Sequence, residues 1–582
     1  MKNFFKIVLG SMVGFGLLLF IGFLLLIASI SNAGKADKIK LEPNSILKIE
    51  LASEIPDKTV DNPFGDINPM GFNVSSATGL FEMIDIIEHA KNDDKIKGLY
   101  ITTDFVSESF ASLDQLRRIL ADFKSSGKFI LAYNKFSTQK SYLISSVADE
   151  LYLHPMGMFE FDGLSIETMY YKKLFDKLDI TPIPLYAGDF KSASEPYRVT
   201  EMSDSNRVQL HALLEDLYDN YLTTISEARG KTKEELKALA DELAITDPSK
   251  AVEFGLVDKL GYEDEVFDAL RTKMGYEKDK ELSFIALDDY STTYKSTNHA
   301  KEKIAVVYME GNIVFGKGKS GQIGDEYIEI VRKLRKDDKV KAIVLRVNSP
   351  GGVAFTSDQI WRELALAKKE KPLVVSMGNY AASGGYYLSC MADKIYAEKN
   401  TITGSIGVVG VLLNVENFLE NKIGITFDRE KTNQYADFGN LKREWSDREK
   451  EVAQLQIKNI YHDFKERVAE GRNMTMERVE EIAQGRVWTG QDALQIGLVD
   501  EIGDLKQAIA TAAELANLEE YKLKEFPEEK DFYEQLKEMM SVRTDKAIRK
   551  ELGEFYDTYQ KFQEIQEWSG IQTRMPFEMT IE

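Results

Sequence analysis

Residues 93–152 and 337–396 align without a gap at a constant offset of 244. Asp93-Asp94-Lys95 corresponds to Asp337-Asp338-Lys339, Asp114-Gln115 to Asp358-Gln359, and Ala148-Asp149 with Tyr152 to Ala392-Asp393 with Tyr396. The likeness returns downstream, where Gly255-Leu256-Val257-Asp258 corresponds to Gly497-Leu498-Val499-Asp500. A repeat of so long a period is a duplicated domain rather than a solenoid. The 582 residues must therefore fold as two versions of one unit, each of ordinary domain size.

Inside each copy, short apolar runs alternate with amphipathic ones. Gly98–Thr102 and Lys128–Tyr133 predict strands on either side of a helix over 112–126, and the second copy repeats this as Ala342–Val347, 357–369 and Leu373–Met377. Strands that are apolar throughout and linked by helices predict a mainly parallel sheet in an α/β fold. The polar stretches 203–245 and 446–485 read as long helical regions, one per copy. The expected repeats span 36–275 and 302–526, joined by a polar, irregular linker over 276–301. The tail 527–582 is charged and aromatic with helical periodicity, and is expected to serve packing or assembly rather than catalysis.

The copies differ where chemistry would sit. The second carries Ser349-Pro350-Gly351-Gly352 and Ala381-Ala382-Ser383-Gly384-Gly385; the first has Phe105-Val106-Ser107-Glu108 and Ser137-Thr138-Gln139-Lys140-Ser141 in those places. Ser383 follows a strand and precedes an apparent helix, so it should stand at a helix N-terminus, where free N–H groups stabilise developing negative charge. Gly352 and Gly384 are placed to offer backbone N–H groups as an oxyanion hole, each such donor being worth about 10²–10³ in rate. Either glycine turn alone would be read as no more than a strand closure. Both in one copy, and neither in the other, point to a nucleophile.

A nucleophilic serine needs a base. The five histidines are His89, His154, His211, His299 and His462, and none lies in a loop that pairs with the glycine motifs, although sequence distance leaves a Ser-His-Asp set open. The alternative is a lysine. Gly188-Asp189-Phe190-Lys191 in the first copy corresponds to Ala436-Asp437-Phe438-Gly439 in the second. The first copy thus keeps a lysine and lacks the serine; the second keeps the serine and lacks the lysine. This complementarity suggests one composite site. A lysine base must be neutral, and lowering its pKa from about 10.4 to about 7–8 costs about 4 kcal/mol, which burial can supply.

Bulk properties narrow the partners. The net charge of -21 argues against nucleic acid. The one cysteine, Cys390, excludes a disulfide framework and a cysteine-rich metal site, and reads as a small buried side chain. Lys2 and Lys6 precede an uncharged run from Ile7 to Ser31. A helix needs about 20 residues to cross the bilayer core, so this segment reads as an uncleaved transmembrane anchor with its basic flank in the cytoplasm and the bulk of the chain outside it. Ser31-Asn32-Ala33 offers a cleavage site as the alternative.

Across these motifs the chain resembles the long, duplicated form of the signal peptide peptidase A family of membrane-anchored serine proteases. The resemblance runs from the N-terminal anchor to about residue 510. It is carried by Asn348-Ser349-Pro350-Gly351-Gly352, Asn379-Tyr380-Ala381-Ala382-Ser383-Gly384-Gly385, Thr403-Gly404-Ser405-Ile406-Gly407, Asp189-Phe190-Lys191-Ser192-Ala193 and Val487-Trp488-Thr489-Gly490. It implies tandem Clp/crotonase-like domains behind a transmembrane helix, with a Ser/Lys dyad of Ser383 and Lys191. It also implies that Ser405 orients the lysine amine, that no metal or other cofactor is needed, and that four chains form a bowl. Implied substrates are cleaved signal peptides and similar apolar peptides, and the implied location is a single pass through the cell inner membrane with the bulk periplasmic. Two other functions compete: a crotonase-like acyl-CoA enzyme, which would need no Ser/Lys pair, and a non-catalytic membrane scaffold, which would not retain one.

Overall fold

The structure, a computed structural model, describes residues 41–51, 55–60, 77–294, 299–528 and 572–575, together with Gly14 and Leu17. Apart from Gly14 and Leu17, the expected anchor over Ile7–Ser31 lies outside the described residues; among the described residues no helix is long and apolar enough to cross a membrane.

The first half supplies β1 (Ser45–Glu50), β2 (Ile96–Thr102), β3 (Phe129–Ser137), β4 (Glu150–Phe159), β5 (Thr181–Ala187), β6 (Lys259–Leu260) and β7 (Phe284–Ala286). All but β5 form one parallel sheet in the order β6-β4-β3-β2-β1-β7. The second half supplies β8 (Lys303–Glu310), β9 (Asn312–Ile313), β10 (Gln322–Ile323), β11 (Val340–Ser349), β12 (Gly351–Val353), β13 (Leu373–Ala382), β14 (Lys394–Ala397), β15 (Ile402–Gly404), β16 (Val408–Asn414), β17 (Val487–Thr489), β18 (Glu501–Ile502) and β19 (Lys522–Phe526). Its main sheet runs β17-β15-β13-β11-β8-β19, with β14 pairing both β13 and β18. The duplication is visible element by element. Helix Phe110–Lys124 follows β2 and helix Ala354–Lys368 follows β11, the two being equal in length and 244 positions apart.

Continuous apolar strands arise because both faces of each sheet are covered. In the second half, Ile343, Leu345, Val375 and Met377 pack with Ile360, Leu364 and Tyr386 on one face. Ile304, Val344 and Val374 pack with Leu505, Ala508 and Ala512 on the other. The first half buries Leu99, Ile101, Ile130 and Ala132 with Leu113, Leu116 and Leu120 in the same manner. The α/β reading with a duplicated unit therefore holds.

The linker expectation changes. The stretch expected as an irregular linker contains β7 and helix Leu287–Tyr294, which belong to the first half. Ile285, Leu287 and Tyr290 reach its core, a sparse apolar set that the surrounding polar residues obscure. The tail, expected to be helical, lies outside the described residues except for 527–528 and 572–575, and the latter contribute β20 (Gln572–Arg574). It enters a third sheet of order β10-β9-β12-β20-β16-β5.

That third sheet joins the halves. β5 leaves the first half and pairs antiparallel with β16 along its whole length, from Thr181 opposite Asn414 to Ala187 opposite Val408. Buried polar contacts add to the joint. Arg346 Nη2 lies 2.7 Å from Asp57 Oδ1, with both side chains under 5% exposed. Arg118 clasps Glu398 through two bonds of 2.7 and 2.8 Å. Asn379 accepts from Ser112 and donates to Glu108.

Candidate active site

β13 ends at Ala382, and helix Gly384–Ser389 starts two positions on. Ser383 makes the turn between them with φ +54° and ψ −111°, a conformation that costs a non-glycine residue about 1–3 kcal/mol and persists only where its surroundings enforce it. Here the Ser383 N–H donates to Gly404 O at 2.8 Å, and the side chain is fully buried.

Lys191 arrives from the other half. Past β5 the chain turns at Gly188, and the lysine side chain reaches the Ser383 turn. Its Nζ lies 2.8 Å from Ser383 Oγ, 2.8 Å from Ser405 Oγ and 2.9 Å from Ser405 O. Lys191 is 1% exposed, and burial holds its amine well below the usual lysine range. Buried lysines without a paired carboxylate are rare because the charged form is costly there. The same cost makes the neutral amine the favoured form, which is what a base for the Ser383 hydroxyl requires. Among the described residues no histidine bonds the Ser383 hydroxyl, and no group of three or more metal-ligating side chains occurs.

The two glycine turns lie close together. Gly351 has φ +101°, and a Cβ there would fall onto the carbonyl oxygen of Thr573 and within 2.7 Å of the Gly384 amide nitrogen. A Cβ on Gly352 would strike the backbone of Ile313. The backbone of 351–352 can thus approach the Ser383 turn only without side chains. Ser383, Lys191 and Ser405 are joined by hydrogen bonds, and Gly351, next to Gly352, lies against the Gly384 amide.

The corresponding positions in the first half have been put to other use. Gln139, opposite number of Ser383, donates to Gly163 O at 2.6 Å. Glu108, opposite number of Gly352, is buried and accepts from the N–H groups of Ile55 and Ser109 at 2.8 and 2.9 Å and from Asn379 Nδ2 at 2.7 Å. Gly439, opposite number of Lys191, has open space where a side chain would be.

Several supporting residues were not anticipated. Gly485 packs flat on the lysine: a Cβ there would lie 2.7 Å from Lys191 Cβ. Gln209 Nε2 donates to Phe190 O at 3.0 Å, and the Gln209 carboxamide oxygen accepts from Val487 N at 3.4 Å. Ser192 donates to Asn206, which donates in turn to Glu195. Ser192 lies inside the Asp189–Ala193 motif and Gly485 two residues before the Val487-Trp488-Thr489-Gly490 motif; nothing in residue type marks Gln209, Asn206 or Glu195.

Similarity to known proteins agrees with this geometry. The family profile described as Peptidase family S49 matches residues 122–277 and 365–519, one stretch in each half. The profile described as Clp protease matches residues 295–401. Protease 4 of Haemophilus influenzae is 35% identical over 521 residues, covering 86% of this chain and 84% of its own. Protease 4 of Salmonella typhi is 36% identical over 498 residues, covering 83% and 80%. The chloroplastic serine protease SPPA of Arabidopsis thaliana is 33% identical over 488 residues, covering 82% and 70%.

Proposed function

This chain belongs to peptidase family S49 and is a serine peptidase, and on that premise we propose that it works through Ser383 as nucleophile and Lys191 as general base. The observation that carries the reading is the buried Lys191 amine 2.8 Å from the Ser383 hydroxyl. The neutral amine takes the hydroxyl proton as Ser383 Oγ attacks a peptide carbonyl. The N–H groups of Gly352 and Gly384 receive the oxyanion. Lys191 then hands the proton to the departing amine, and water releases the acyl group in the reverse sense. Ser405 fixes the amine through its hydroxyl and its carbonyl, so that the lone pair faces Ser383. An acyl-CoA reaction on the same fold would have no use for an amine held at a serine.

Substrates are cleaved signal peptides and similar apolar peptides, bound extended between β12 and β16. Such peptides remain in the bilayer, and the apolar run Ile7–Ser31 would anchor the enzyme beside them, in the cell inner membrane with its bulk on the periplasmic side. The chain works as a homotetramer. Support comes from what the two halves leave unmatched. The first half's arm, β5 with Lys191, covers β16 of the second half. The second half's own arm, which leads to Gly439, exposes Ile425, Tyr435 and Phe438, and the first half's counterpart of β16, residues 164–170, exposes Met169. Repeating the internal contact between copies would cover these surfaces head to tail, and such contacts close into rings.

Two experiments test this. Ser383→Ala and Lys191→Ala should each abolish peptide hydrolysis and fluorophosphonate labelling in a folded protein, the double variant being little worse than either single one. Substantial hydrolysis by Lys191→Ala at neutral pH ends the lysine-base assignment. The protein should also stay with membranes through a high-salt wash and, once solubilised, show the mass of four chains. A mature chain starting near Gly34 removes the anchor, and a monomer at working concentration removes the ring.

A further inference from the structure

Helix Asp204–Arg229 of the first half starts behind Ser203, whose hydroxyl oxygen accepts from Asn206 N at 3.2 Å. Its counterpart in the second half, Asp447–Arg472, is also 26 residues long and starts behind Ser446. In that register Gln209 corresponds to Val452. The half with Gly439 in place of Lys191 therefore also lacks the glutamine. Gln209 is only 1% exposed, so the first half keeps a polar carboxamide in its interior where an apolar side chain serves the second.

Its partners show why. Lys191 has φ −77° and ψ +70°, and Ser192 N donates across it to Phe190 O at 2.8 Å. That is an inverse γ-turn with the lysine at its centre. The Phe190 oxygen that closes the turn also accepts from Gln209 Nε2 at 3.0 Å, and Nε2 lies 3.2 Å from Ser192 Oγ and 3.1 Å from Asn206 Oδ1. On its other side the carboxamide oxygen accepts from Val487 N at 3.4 Å. Val487, in β17, stands opposite Gly404 of β15, and the next bond of that ladder runs from Ser405 N to Arg486 O at 2.7 Å. One side chain thus bridges the turn that carries Lys191 and the strand that holds Ser405. Asp216, two helical turns further along, accepts from Thr489 Oγ1 at 3.0 Å and keeps the helix against β17. Both ends of the bridge are main-chain groups of fixed polarity. Phe190 O must meet an N–H and Val487 N–H must meet an oxygen, and a carboxamide offers both.

We propose that Gln209 is the positioning residue for Lys191: it clamps the γ-turn and fixes its distance from β17, so that the amine stays dry and faces both Ser383 and Ser405. The proposal rests on the Ser383/Lys191 reading above. Gln209 acts only through the turn. Burial alone holds the Lys191 amine low, and Glu195, the charged end of the Ser192–Asn206 network, is faced by Arg198 at 3.6 Å. Slack in the turn would move the amine off the Ser383 hydroxyl and admit water, which favours the protonated form. Both consequences fall on acylation rather than on substrate binding.

The test uses the full-length protein in detergent, read by hydrolysis of a fluorogenic apolar peptide and by the rate of fluorophosphonate labelling of Ser383 across pH. Gln209→Met matches the side chain in length, and Val452 shows that this helix position accepts an apolar residue. It should lower kcat by about 10²-fold with KM little changed. Labelling should slow in parallel, and its rise with pH should move to higher pH. Gln209→Glu, a second variant, sets an oxygen against Phe190 O and a negative charge near the amine, and should move the rise upward by about a unit. Ile225→Ala, in the same helix but in the first half's core, should lower the melting temperature and leave the pH dependence in place. Wild-type kcat and pH dependence in Gln209→Met overturn the proposal. So does a loss of activity that follows the folded fraction with the pH dependence unmoved, as in Ile225→Ala, or a rise in KM at unchanged kcat. Hydrolysis by Lys191→Ala in the same series overturns both this and the lysine-base reading; an inactive Lys191→Ala beside a normal Gln209→Met overturns the positioning role alone.

Discussion

Lys191 binds a proton readily in the unfolded chain and poorly in the folded one, because folding removes water from the amine and supplies only serine oxygens in return. Between its lowered folded pKa and the ordinary lysine range of about 10.4, the unfolded state therefore holds more protons, and stability must rise with pH by up to about 1.4 kcal/mol per unit. Lys191→Met keeps the volume and abolishes the titration. The variant should be inactive, and its stability relative to wild type should be most favourable at low pH and decline as pH climbs toward the lysine range. Urea unfolding at several pH values checks this; a difference that does not change between pH 6 and 9 would mean that the lysine is not protonated differently in the two states. Catalysis should follow the same proton in the opposite assay: acylation of wild type should increase with pH as the amine deprotonates. Glu108 shows the converse use of a buried ionisable group. Occupying the position that is glycine in the second half, its carboxylate accepts from two backbone N–H groups and from Asn379 across the joint between the halves.

At the scale of elements, the loop carrying Lys191 is held by close approach rather than by covalent rigidity. Gly188 lies against the Gln484 backbone and Gly485 against Lys191 itself, while Phe190 N–H donates to Gln484 O at 2.8 Å. Gly485→Ala would put a methyl group into the lysine's own Cβ, at a φ of +78° that alanine resists. Moving the amine by about an ångström should lower kcat by about 10²-fold with KM little changed and the protein folded; wild-type turnover in that variant would show that the loop has slack. Sequence revealed the elements with long periodic patterns. The helices Phe110–Lys124 and Ala354–Lys368, and the central strands β2, β3, β11 and β13, could be read from apolar runs and checked against each other across the duplication. Ser383 and Lys191 were legible because each is missing from the other copy. The third sheet was not. β9, β10, β12 and β20 are two or three residues long, too short for periodicity, and β5 and β16 find each other across more than 200 positions. β20 is held largely through main-chain groups, and its sequence Gln572-Thr573-Arg574 is polar, so nothing in its side chains announces a strand. Gln209 and Gly485 escaped for a related reason: their roles are set by what they touch.

For the molecule as a whole, the joint between the halves positions the chemistry. Arg346 comes from the centre of the second sheet and Asp57 from the first half, and neither reaches water. Its Nη1 also donates to Ser376 Oγ and Met377 O, both at 3.0 Å. Arg346→Ala should cost about 3–5 kcal/mol by leaving Asp57 buried without its partner, and should reduce activity together with thermal stability. Arg346→Met combined with Asp57→Leu should recover most of the stability, since a well-packed apolar pair can replace a buried ion pair; failure of the double variant to recover would assign the loss to packing around Arg346. The division of the site across that joint also bears on descent. With the roles proposed above, the simplest history for such a divided site is an undivided ancestor that carried serine and lysine in every copy and met its partner residue in a neighbour. Fusion let one copy shed its serine and the other its lysine. From then on neither copy could be lost, because each had become the sole heir to half of one reaction. The step acts as a ratchet, since going back would require two residues to be regained in two places before either was of use.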